Sequence, residues 1–161
     1  MSEEMDLETL KMDYEVIRKK HNLPSFEDMN KDFHIEGLVE VETEYLIRGV
    51  RKFMSDKLQN YLRFIEAILN PSNASIFIFS VIKTLNEGDK KKVSDIYKKL
   101  SRFEVDIIEL DTVFSEEKDV KFIKEFYSTW QGIKKDMIVL VNIIRGNWDK
   151  ESGKNSGAYL G

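Results

Sequence analysis

Apolar residues recur at alternating spacings of three and four along most of this chain, and that period leaves few folds open. Ile47, Val50, Met54, Leu58, Tyr61, Ile65 and Ile68 keep it without a miss, and Leu46, Phe53, Leu62 and Leu69 widen the stripe. Side chains three and four apart share one face of an α-helix, whereas a half-buried strand alternates by two. Val93, Ile96, Leu100, Phe103, Ile107, Leu110 and Phe114 repeat the pattern, and so do Ile123, Phe126, Trp130, Ile133, Met137, Leu140 and Ile144. A shorter stripe of Leu7, Leu10, Tyr14, Ile17 and His21 comes first. Only 2 prolines and 8 glycines interrupt the 161 residues, so long helices are permitted.

Boundary signals divide these stripes. Asp6 is placed to cap the first helix, and Asn22-Leu23-Pro24 ends it, because a residue before proline avoids the helical region. Ser25, with Asp28 three residues on, opens a short second helix that buries Phe26, Met29 and Phe33; His34 to Gly37 closes it. A long helix is expected over 38–69, with Gly49 marking a bend or a close contact and Asn70-Pro71 as the stop. Ser72 or Asn73 is expected to cap the next helix, which ends near Asn86-Glu87-Gly88, and Asp89 to cap the fifth. Ser115 caps the last, with Glu116 and Glu117 favourable near the positive end of its dipole. The short link at Ser115 folds these two helices into an antiparallel hairpin.

Ala74 to Leu85 stands apart. No charged residue lies between Glu66 and Lys83, in a chain that is 34% charged. Ile76-Phe77-Ile78-Phe79 also suits a strand. The comparable run, Ile138 to Val141, continues a helical stripe, so a strand here lacks a partner. Apolar residues on every side of a helix imply a segment surrounded by protein. On that reading either Phe77→Asp or Phe79→Asp unfolds the chain. The expected fold is all-α, an up-and-down helical bundle of four principal helices with two short ones, one of them buried. Residues 1–146 form the expected domain, and residues 147–161 a flexible polar tail.

Composition narrows the function. The net charge of −4 gives no general basic footprint for nucleic acid. Cysteine is absent, which excludes disulfides and thiolate chemistry. The acidic start, Met1 to Asp6, lacks the apolar stretch of a secretory signal. The charge-free window is shorter than the roughly 20 residues a membrane span needs. A soluble cytoplasmic protein, not a membrane one, is the expectation.

Catalytic sets are missing. A di-iron bundle needs Glu-x-x-His, but Arg18 and Lys31 stand three residues before His21 and His34. There is no Gly-x-Ser-x-Gly, dinucleotide fingerprint or P-loop, so no catalytic, cofactor or metal residue is assigned. Glu44 is expected to pair with Arg48 one turn on, and Asp106 and Glu109 with Lys121 and Lys124 across the hairpin. Glu66, set among Leu62, Ile65, Ile68 and Leu69, is the candidate for a partly buried carboxylate, with Arg63 as its partner. Lys91, Lys98 and Arg102 share a face and form the best candidate for nucleic acid, although Asp89 and Asp95 interrupt it. Phe122, Phe126, Tyr127 and Trp130 read as core. Trp148, Tyr159 and Leu160 lie outside every stripe and are candidate interaction residues.

The pattern Asn22-Leu23-Pro24-Ser25-Phe26-Glu27 before a short helix, and a long helix ending Glu66-Ala67-Ile68-Leu69-Asn70-Pro71, resembles small all-helical proteins of unknown function found in archaea. The resemblance implies an all-helical fold and carries no activity. The reading that follows is a non-enzymatic helical interaction or scaffold protein, with a protein partner or a homo-oligomer. The alternatives are a nucleic-acid accessory protein using the Lys90 to Arg102 face, and a small-ligand-binding bundle.

Overall fold

The computed structural model describes residues 5–158 and contains no strand among them. The fold is all-α, a helical bundle, as the stripes require. Its α-helices are α1 (Leu7–His21), α2 (Phe26–Phe33), α3 (Leu46–Leu69), α4 (Ile76–Thr84), α5 (Glu87–Thr112) and α6 (Glu116–Ala158). Short 3-10 turns occupy Ile35–Glu40 and Pro71–Asn73. The chain divides into two compact units, Met1–Gln59 with Phe103–Ser128 and Asn60–Arg102 with Thr129–Gly161.

In the first unit the caps are those the sequence specifies. The Asp6 carboxylate accepts from the Thr9 N–H at 2.8 Å, and the Ser25 hydroxyl from the Asp28 N–H at 3.1 Å. Asn22 and His34 end α1 and α2 in the left-handed region, at φ 54° and 52°. Short polar or aromatic side chains tolerate that geometry better than branched ones. Phe126 is the hub of the aromatic core, with ring centroids 5.3 Å from Phe103, 5.7 Å from Phe122 and 5.7 Å from Phe33; Phe103 also meets Phe122 at 5.7 Å.

The long helix starts at Leu46 rather than Leu38. Residues 35–40 take the tighter 3-10 form instead. Gly49 explains the arrangement. A Cβ there would lie 2.9 Å from Leu38 Cδ2 and 3.4 Å from the Thr43 side chain. The glycine therefore serves a close approach of the preceding segment, one of the two roles its position suggested.

In the second unit the stripes of α3, α5 and α6 bury Leu62, Ile65, Ile68, Val93, Ile96, Leu100, Trp130, Ile133, Met137 and Leu140. Tyr61 and Trp130 meet at 4.9 Å. Two caps differ from expectation. The Pro71–Asn73 turn consumes Ser72 and Asn73, so Ser75 caps α4, accepting from the Ile78 N–H at 3.3 Å. At α5, Asn86 is the cap: its side chain accepts from the Asp89 N–H at 2.8 Å, while Asp89 accepts from the Asn86 N–H at 3.1 Å. Asp89 is thus the reciprocal member of a capping box. Its three-residue offset from Asn86 was the available signal.

The expected tail boundary at residue 146 also moves. α6 runs to Ala158, since no proline interrupts the segment and its first residues are tied to α4. The Asn147 side chain donates to the Thr84 carbonyl at 2.7 Å, and Trp148 lies against Phe77.

Candidate interaction face

The burial expected for α4 is not what the structure shows. Ile78, Val81 and Leu85 point inward, but Ile76 is 87% exposed, Phe77 57% and Phe79 46%. Nine residues of helix turn only one side toward the unit. Ile78, Val81 and Leu85 step by three and four on that side, and Ile76, Phe79 and Lys83 do so on the opposite one. Phe77→Asp and Phe79→Asp are accordingly expected to leave the fold intact.

Beside α4, a second line of α6 residues widens this surface. Val141, Arg145 and Trp148 follow Ile138 at spacings of three and four, rotated from the inward stripe of Met137, Leu140 and Ile144. A groove of about 340 Å³ runs between Phe64, Phe77, Val81, Val141, Ile144 and Trp148, with Arg145 at its edge. The Phe77 and Trp148 rings, 6.0 Å apart and tilted 48°, form one wall. Ile138 is 57% exposed, and Trp148 is also exposed. Large apolar side chains clustered in this way mark a contact surface more often than scattered ones do. Arg145 is the one charged side chain in the groove lining.

The other sequence candidates are dispersed. Trp148 lies in the groove as an interaction candidate; Tyr159 and Leu160 lie outside the described residues. Lys91, Lys98 and Arg102 are exposed along α5, but neighbouring cations already have acids: Lys90 with Glu87 at 3.8 Å and Lys99 with Asp136 at 3.4 Å. Glu66 is exposed rather than partly buried. One residue past Ile65 is a rotation of about 100°, which carries it out of the inward stripe. It lines an open cleft of mixed character with Arg63, Leu69, Asn70, Asn73 and Tyr97.

Sequence reasoning missed a buried ion network in the first unit. Arg51 and Asp119 are each 1% exposed, with Arg51 Nε donating to Asp119 Oδ1 at 2.9 Å. Arg51 Nη1 donates to Asp111 Oδ1 at 2.8 Å. Burial pushes the Asp119 carboxyl above the usual aspartate range, against the pull of the Arg51 hydrogen bond and charge. The signal was present: Arg51 falls in step with Ile47, Met54 and Leu58, and Asp119 with Phe122, Ile123 and Phe126. Other expected pairs are replaced. Arg48 lies 6.0 Å over the Phe114 ring rather than on Glu44, and Glu109 pairs with Lys118.

Among the described residues no group of three or more His, Cys, Asp or Glu side chains could hold a metal ion. No described helix is long and apolar enough to cross a membrane. Comparison with protein-family models, with curated proteins and with solved structures finds no match for this chain.

Proposed function

We propose that this chain is a non-enzymatic helical interaction protein that binds a second copy of itself through the outer face of α4 and the adjoining line of α6. The observation that carries the reading is the exposed cluster of Ile76, Phe77, Phe79, Ile138 and Trp148 around the apolar groove. A second copy suits the face because its edge holds both signs of charge. Arg145 and Asp149 are exposed one helical turn apart, so an antiparallel pairing of two α6 segments sets each arginine against the other copy's aspartate. Aromatic and arginine side chains are also the types that dominate contact energies.

Light scattering coupled to size-exclusion chromatography tests this on the full chain. The wild type shifts from monomer to dimer mass with rising concentration. Phe77→Asp with Trp148→Asp stays monomeric and keeps its helical circular dichroism. A wild type that is monomeric at every concentration sinks the self-association, and a dimer indifferent to both changes places the interface elsewhere.

A further inference from the structure

From the geometry around Arg51 we infer a binding site for a small oxyanion, a carboxylate or phosphate group, in the first unit. A cleft of about 340 Å³ there is lined by Arg48, Arg51, Lys52, Asp56, Gln59 and Asp111, with Ile107 as an apolar wall and Ser55 at its base. Arg48, Arg51, Lys52, Ser55 and Gln59 follow one another at helical spacing, so α3 presents its donors to the cleft in a single row.

Two of those donors lack an acceptor. Arg51 spends Nε on Asp119 and Nη1 on Asp111, but Nη2 is buried and makes no hydrogen bond. Arg48 Nε is buried and unpartnered in the same way, one turn earlier on the same helix. Buried guanidinium donors are almost always satisfied, and two unsatisfied ones lining one cleft call for an acceptor there. The Ser55 hydroxyl donates to the Arg51 carbonyl at 2.9 Å and bonds to neither of the two open donors.

Donor geometry selects the ligand. Arg51 is bonded to both Asp119 and Asp111, and Asp56 is the remaining acid of the cleft lining beside Arg48 and Lys52. Those three cations and three acids balance, so what the cleft offers a ligand is its pair of open guanidinium donors: an oxyanion accepts from Arg51 Nη2 and Arg48 Nε beside Lys52. A planar guanidinium fork matches the oxygen spacing of carboxylate and phosphate, which a chloride ion does not reproduce.

The test titrates the full-length protein with sodium phosphate, sodium acetate and sodium chloride at matched ionic strength. It reads the Nε–Hε NMR signals of Arg48 and Arg51 together with the unfolding temperature. Phosphate or acetate is expected to move both signals saturably and raise the unfolding temperature, and the one that does so identifies the group. Arg48→Gln and Lys52→Gln are each expected to weaken that binding about ten- to hundredfold, the value of one charge-assisted donor. Lys52 is exposed, so its variant tests the site even if Arg48→Gln folds poorly. Equal responses to chloride, or unchanged titrations in Lys52→Gln, overturn the assignment and leave a purely structural ion network.

Discussion

Replacing Arg51 by Met should be the most damaging single charge deletion in the first unit. Arg51 and Asp119 are each 1% exposed and joined at 2.9 Å, so the substitution strips a buried carboxylate of its bonded cation and leaves it only the weaker pull of Arg48. Removing one partner of such a pair costs about 3–5 kcal/mol, a large share of the roughly 5–15 kcal/mol that holds a domain together. Asp111 adds nothing to the loss, because it is half-exposed and returns to water. By contrast Lys118→Met deletes the exposed Lys118–Glu109 pair and should leave stability almost unchanged, because water solvates both groups. The double change Arg51→Met with Asp119→Leu removes both charges and should recover most of the stability.

The pH dependence gives a second arm. Burial already raises the Asp119 pKa in the wild type, and losing Arg51 raises it further. An acid whose folded pKa is raised binds more proton in the folded state, so its contribution falls as pH climbs from the ordinary aspartate value through the raised one. The Arg51→Met deficit should therefore be largest near neutrality and shrink toward acid pH as Asp119 protonates. Urea unfolding followed by circular dichroism at several pH values measures all three variants. An Arg51→Met loss under about 1 kcal/mol at neutral pH, or one that does not shrink in acid, would mean that Asp119 is not held as a buried charge by Arg51.

Gly49→Ala gains up to about 1 kcal/mol of helix propensity but drives a methyl to 2.9 Å from the buried Leu38, so a net loss of about 1 kcal/mol is expected in the same urea assay. Gly132→Ala meets nothing within 4 Å and should stabilise instead, by up to about 1 kcal/mol. Asn86→Ala removes the α5 cap and should lower stability by about 1 kcal/mol, visible as a lower unfolding temperature. Glu116 accepts from Lys20 at 2.9 Å and contacts His21 at 2.8 Å, which holds its carboxyl below the usual glutamate range. Its stabilising effect is present above the ordinary glutamate value and fades as pH falls through the lowered one. A carboxyl-carbon NMR titration should place its midpoint below that of free glutamate, and Lys20→Met should raise it.

What could be read from residues alone was whatever repeats at the helical period. The stripes through Ile47 to Ile68, Val93 to Phe114 and Ile123 to Ile144 located the long helices, because burial on one side of a helix forces that spacing on the sequence. The caps at Asp6, Ser25 and Ser115 were legible for a similar reason, since each side chain answers a backbone N–H three residues away. α4 was misread because all-round apolarity describes a buried helix and a helix with an open apolar face equally well. Ser80 and Lys83, in line with Ile76, already marked the outer side. The Arg51–Asp119 pair joins residues 68 positions apart, and no local pattern announces which stripe carries the matching charge. Trp148 was visible as an outlier from every stripe, but its neighbour Phe77 belongs to a different helix.

On the proposed reading, the outer face of α4 and the adjoining line of α6 form a contact surface rather than core. An NMR dilution series of the full chain tests it most directly, following the methyl groups of Ile76 and Ile138 and the Trp148 indole against the buried Ile65 and Ile133. Concentration-dependent shifts are expected at the first three, with Ile65 and Ile133 unmoved and the diffusion constant falling in step. Shifts at none of them across the full concentration range, with monomer diffusion throughout, would contradict it.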